Sequence, residues 1–129
     1  MTRFLAVVAV AVAVAASSGV GSARAAHTNG TSCAFDVGAP FLYVDIVFAP
    51  ATISCSSSQN RITITTVLTN DGAEVARDTR HCTHMAVCDN DVGSFLQDPA
   101  GDQTWCTTAW GSVHGVSFAP VTRCESEAF

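Results

Sequence analysis

The stretch His81-Cys82-Thr83-His84-Met85-Ala86-Val87-Cys88-Asp89-Asn90-Asp91 gathers two histidines, two cysteines and two aspartates. Three chemistries are open to such a set: a metal centre, a reactive loop, or a covalent staple. A zinc site needs four Cys, His or carboxylate ligands, usually arriving as closely spaced pairs. Here His81 and His84 are three apart and Cys82 and Cys88 six apart, so neither a CxxC nor an HxxxH pair exists. On a strand, residues three apart point to opposite faces, which separates the two histidines. Asp89-Asn90-Asp91-x-Gly93 has the opening spacing of a calcium loop, but Ala100 stands where the closing bidentate acid belongs. No metal and no cofactor is expected.

The second possibility is a reactive loop. A Cys82–Cys88 bridge closes a small ring that presents Thr83, His84, Met85 and Ala86 as a candidate recognition loop. Stiffening a loop in advance lowers the entropy cost of binding, which is how a protease-inhibitor loop gains affinity. The ring contains no proline to add stiffness, and its simplest role is a staple. Enzymatic chemistry finds less support. The chain has no Gly-x-Ser-x-Gly elbow, and His114 between Val113 and Gly115 reads as a strand-end residue. Asp98 and Asp102 flank one loop and read as turn formers. The expectation is a protein without catalytic activity.

The cysteines depend on the compartment. Residues 1–25 read as an export signal: Arg3, then an apolar run over residues 4–16, then small residues ending in Ala23-Arg24-Ala25. The run is too short for a bilayer, which takes roughly 20 apolar residues. Cleavage after Ala25 would leave four arginines against eleven acidic residues, a net charge of −7, with no lysine anywhere. A nucleic acid or an anionic membrane needs a basic face, so neither is an expected partner. All six cysteines follow the leader. An even number in an exported chain implies three disulfides. The expected pairing is Cys82–Cys88, with Cys55–Cys106 across two sheets and Cys33–Cys124 tying the ends. Pairing of neighbours, Cys33–Cys55 with Cys106–Cys124, stays open.

Few elements are needed to position these residues. Residues 26–32 form a polar lead-in expected to be flexible, and residues 33–129 a single domain. Val, Ile, Thr and aromatics recur, with turn residues roughly every 8–12 positions, the rhythm of a sandwich or barrel. The clearest element spans residues 61–82. Ile62, Ile64 and Leu68 share one parity and Thr63, Thr65 and Thr69 the other, which marks a half-buried strand. Asp71-Gly72 then predicts a two-residue hairpin turn that sets Asn70 against Ala73, Leu68 against Val75, Thr65 against Asp78 and Thr63 against Arg80. Residues 41–48 read as one strand between Pro40 and Pro50. Residues 52–56 read as another, before a Ser-rich turn at 56–60. Residues 103–113 and 117–124 complete the set, and almost no helix is expected.

About seven short antiparallel strands with cysteines in well-separated strands predict an all-β, immunoglobulin-like sandwich. Cys55, the Cys82/Cys88 pair and Gly101-Asp102-Gln103-Thr104-Trp105-Cys106 are similar in layout to small secreted actinobacterial proteins of uncharacterised function. That resemblance covers residues 53–113 and implies an Ig-like fold and a bacterial origin, but no activity. Two departures from a true Ig domain stand out. Thr104 occupies the position of the tyrosine corner, and no Trp follows Cys55 in the next strand. The expectation is therefore a secreted, monomeric, extracellular binding module for a protein or surface ligand, with protease or hydrolase inhibition through the Cys82–Cys88 loop as the alternative. Trp110 is expected in the core; were it to point outward, it would be an aromatic anchor.

Overall fold

The structure is a computed structural model that describes residues 24–28, 31–96 and 101–127, and these form an immunoglobulin-like antiparallel β-sandwich. The proposed leader lies outside the described residues except for its last two positions, and so does the 97–100 part of the acidic loop. The strands are β1 (Arg24–Thr28), β2 (Thr31–Val37), β3 (Phe41–Tyr43), β4 (Ile46–Ala49), β5 (Ala51–Gln59) and β6 (Ile62–Asn70). They continue as β7 (Ala73–Cys82), β8 (Met85–Asp89), β9 (Val92–Phe95), β10 (Gln103–Val113) and β11 (Val116–Glu127). Most of the stretch read as a flexible lead-in is strand, since β1 pairs with β2 from Thr28 opposite Thr31 to Arg24 opposite Phe35. The expected Ser-rich turn is strand as well. Ser56 Oγ accepts from Ser32 N–H and Ser57 Oγ bonds Thr31 Oγ1, so the serines pair with β2 before the chain turns at Asn60.

One layer is the sheet β11-β10-β6-β7. The other is split into β1-β2-β5-β8 and β3-β4-β9. The split has a local cause. Only Pro50, which has no N–H to donate to a ladder, separates β4 from β5. Asn90 and Asp91 interrupt the neighbouring strand at the same level, between β8 and β9. Asn90 is buried at this bend. Its amide donates to the carbonyls of Ile64 and Asp78, and its own carbonyl accepts from Thr66 Oγ1 at 3.0 Å. Its backbone N–H reaches Ala51 O at 2.8 Å. The residue between the two aspartates of the calcium-like stretch is therefore a polar rivet joining the two layers.

Two cores result. Phe35, Ile53, Ile62, Ile64, Val113 and Phe118 fill the space under the first half-layer, with the Phe35 and Phe118 rings 5.3 Å apart. Val47, Ala49, Leu68, Val92 and Trp105 fill the space under the second. The inward parity of β6 is as the sequence predicts, and Asp71 (φ 47°) and Gly72 (φ 82°) make the predicted turn with positive φ at both positions. Beyond it the predicted register fails by one residue. A bulge takes up Val75, so Leu68 faces Ala76, Thr65 faces Thr79 and Thr63 faces His81.

The disulfides are Cys33–Cys55, Cys82–Cys88 and Cys106–Cys124. This corrects the expected long-range pairs. Cys33 lies directly opposite Cys55 across β2 and β5, and Cys106 directly opposite Cys124 across β10 and β11. Their Cα atoms are 4.0 and 4.1 Å apart. Cys106 shares the parity of the outward side chains of its strand, because Trp105 and Thr107 on either side point into the core. A Cys55–Cys106 bridge would have had to pass through a sheet. The bridge that joins the two layers is the short one, Cys82–Cys88, with both residues buried in the first core.

Candidate functional site

The ring between Cys82 and Cys88 is exposed where the sequence placed its recognition loop. Thr83, His84 and Met85 are exposed, Ala86 is half-buried, and Met85 and Val87 are 46% and 45% accessible. The backbone is not an extended loop, however. His84 has φ 54°, its N–H reaches Asn60 O at 3.4 Å, and Met85 already pairs with Gln59. This is a tight turn at the head of an edge strand. His81, which points to the opposite side of β7 from Cys82, bonds Thr63 Oγ1 through Nδ1 at 3.0 Å. Among the described residues no three His, Cys, Asp or Glu side chains converge as a metal requires.

A different surface emerges on the three-stranded sheet. The predicted single strand over residues 41–48 is a hairpin: β3 and β4 meet at a turn formed by Val44 and Asp45. In that register Phe41 faces Phe48 and Tyr43 faces Ile46, while Ile46 faces Phe95 on β9. The inward residues are Leu42, Val47, Ala49 and Val92. Everything large on the outward side is therefore apolar or aromatic: Phe41, Tyr43, Ile46, Phe48 and Phe95. Tyr43 is 67% accessible, Phe95 72% and Phe41 46%, with Phe41 stacked on Phe48 at 5.7 Å. Gly93 is what lets this face close up. A Cβ there would come within 2.9 Å of Ile46 Cγ2 and 3.0 Å of Phe48 Cε1, so those two side chains lie across the glycine. At the tip Val44 is 74% accessible with φ 57°, a conformation that costs a β-branched residue energy.

The opposite side of the sandwich is the outward face of β11-β10-β6-β7, and it is built of hydroxyls. Cross-strand pairs run along it: Thr65 with Thr79 at 2.8 Å, Thr108 with Thr122 at 2.9 Å, Thr104 with Ser126 at 3.2 Å. Trp110 lies in this face, half-buried and opposite Thr65, which corrects its expected place in the core. Strand parity decides this, since Ala109 and Gly111 take the inward positions. The Arg77 guanidinium sits 5.4 Å from the ring centroid and is gripped by both carboxylate oxygens of Glu74 at 2.9 Å. That hydrogen-bonded grip, with the attraction of the opposite charges, holds the Glu74 carboxyl below the ordinary carboxylate range. The pair is thus intact at neutral pH and lost only as pH falls through the lowered value.

No protein-family model matches the chain, and no curated protein does. Among solved structures the chain is similar to the GAE domain of GGA2p from Saccharomyces cerevisiae, at 10% sequence identity over 83% of this chain and 98% of that one, with a TM-score of 0.38.

Sequence reading missed the aromatic face for a specific reason. As one strand, residues 41–48 would put Phe41 and Tyr43 on one side and Ile46 and Phe48 on the other, the pattern of a strand buried on both sides. The turn at Val44 and Asp45 reverses the parity and brings all four to one surface. Asp45 is a common turn residue, but Val44 before it is not and takes positive φ here, so the pair lacks the Asn-Gly or Asp-Gly signature that announces a hairpin.

Proposed function

We propose that the protein is a secreted, non-catalytic binding module whose principal contact surface is the outward face of β3-β4-β9, and that its partner is an extracellular protein. The observation that carries this reading is the sorting of Phe41, Tyr43, Ile46, Phe48 and Phe95 onto solvent. Contiguous exposed apolar patches on soluble proteins mark interaction surfaces, and aromatic residues supply most hot spots. Three disulfides and a leader-like N-terminal sequence support export, and no helix among the described residues is long and apolar enough to cross a membrane. The test is site-specific photo-crosslinking in the native extracellular medium, with benzoyl-phenylalanine replacing Phe95 or, as a control on the opposite side, Thr122. One discrete adduct from position 95, abolished by Tyr43→Ser, is the expected result. No adduct, or the same products from both positions, would overturn the reading.

Protease inhibition through the Cys82–Cys88 ring keeps one observation in its favour, the exposure of Thr83, His84 and Met85. The left-handed turn at His84 stands against it, because a protease binds its target as an extended strand. A panel of trypsin-, chymotrypsin- and subtilisin-like enzymes decides the matter. Stoichiometric inhibition that is lost in Met85→Gly would move the site to the ring.

A further inference from the structure

We propose a second binding site, for an acidic saccharide chain, along the outward face of β11-β10-β6-β7 from Trp110 to His114. It lies on the side of the sandwich opposite the aromatic face and does not depend on that face binding anything. Two shallow clefts of about 310 and 330 Å³ adjoin here, sharing Thr63 and Ser112. The first is lined by Trp110, Thr65 and Ser117, the second by Arg61, His81 and His114.

Three features of this trough select the ligand. The first is its hydroxyl inventory. Several hydroxyls on the face are already paired across strands, but the side-chain hydroxyls of Ser112 and Ser117, opposite each other at the centre of the trough, bond no described residue. A serine hydroxyl both donates and accepts, which matches a ligand built from hydroxyls that do the same. The second is Trp110. Arg77 and Glu74 fix its ring from the β7 side, and the indole gives the cleft one rigid apolar wall with a polar edge, suited to the mixed surface of a sugar.

The third is charge. The chain carries eleven acidic residues, yet among the described residues no carboxylate lines either cleft. Glu74 beside Trp110 is already neutralised by Arg77. Arg61, whose guanidinium makes no ion pair or hydrogen bond with a described residue, closes one end together with His81 and His114. A free guanidinium suits a carboxylate on the ligand, which it can hold with two parallel hydrogen bonds. The acidic remainder of the protein does not cancel this, because exposed charges farther than roughly 8 Å are screened at physiological ionic strength. The trough is open at its sides, so a polymer can lie across it without threading.

The test uses the full disulfide-bonded chain, isotope-labelled and titrated with oligogalacturonate, and in parallel with cellohexaose as the neutral probe. Saturable shifts confined to Thr63, Ser112 and His114 are expected with oligogalacturonate, with cellohexaose binding at least roughly tenfold more weakly for want of the charge-assisted contact. Arg61→Gln and Ser112→Val, both at exposed or half-exposed positions, should each weaken binding several-fold while the thermal midpoint holds. Trp110→Phe, which keeps an apolar ring in place should Trp110→Ala fail to fold, should weaken it less than Arg61→Gln. Equal affinity for the two oligosaccharides, shifts on the β3-β4-β9 face, no saturable shift with either probe, or unchanged binding in Arg61→Gln would each overturn the proposal.

Discussion

The two outward faces of this sandwich differ in what supports their aromatic residues. Trp110 is held: it packs over β6, where Thr65 and Val67 are buried although they point away from the core, and Arg77 pins the ring. Tyr43 and Phe95 are presented: their rings stand in water on a three-stranded sheet whose inward residues do the packing. A ring that is packed contributes to stability whether or not a ligand arrives. A ring that is exposed at this level contributes little to folding, so its presence on the surface asks for a different explanation. The same residue class can thus be packed on one face and presented on the other, and burial is what separates them.

The most disruptive way to break this comparison is to remove the bend that creates the aromatic sheet. In Asn90→Ala the carbonyls of Ile64 and Asp78 lose their donor and Thr66 Oγ1 is left beside a slackened backbone. Each buried polar group left without its partner costs about 1–3 kcal/mol, so a total loss of about 3 kcal/mol is expected in chemical denaturation. Amide shifts in the folded variant should concentrate in β4, β8 and β9 and spare Ser112 and Ser117. A loss under ~1 kcal/mol would mean the rivet is dispensable and the bend belongs to Pro50.

Trp110→Ala should come next. Removing the ring uncovers Val67 and Thr65 and strands Arg77 without its platform, which should cost about 2 kcal/mol given that the ring is half rather than fully buried. Denaturant midpoints at constant m-value measure it. If the variant is as stable as the parent, Trp110 is presented rather than held, and the two faces do not differ in the way described.

How far the sequence discloses these faces depends on whether the decisive feature is periodic or singular. The Ile62, Ile64 and Leu68 parity, the Asp71-Gly72 turn, the extent of β10 and the Cys82–Cys88 ring all follow from patterns repeated over several residues or from strong turn chemistry. The failures each hinge on one residue. Val75 enters a bulge and slips the register of β7; Val44 accepts a left-handed conformation that β-branched residues avoid; Pro50 and Asn90 divide a layer in two. The cysteine pairing failed with them, since it assumed that Cys55 and Cys106 both faced the core, and β10 points Cys106 outward. The ring was legible as chemistry but its conformation was not, because His84 gives no sign of its positive φ.

The smallest change in stability sharpens the comparison most. In the double variant Tyr43→Ser/Phe95→Ser both rings leave positions that are already two-thirds or more accessible, so little buried area is lost. Surface substitutions of this kind usually fall within about 0.5 kcal/mol, and the folding free energy should move no more than that. Binding of an anilinonaphthalene sulfonate dye, which reports exposed apolar surface, should by contrast fall several-fold. Gly93→Ala provides an independent check that leaves both rings in place. Its Cβ would push Ile46 and Phe48 apart and roughen the face, so dye binding should fall there as well. A double variant that loses more than ~1 kcal/mol would show that Tyr43 and Phe95 are part of the fold's own packing. The aromatic face would then need no partner to account for it, and the contrast with Trp110 would vanish.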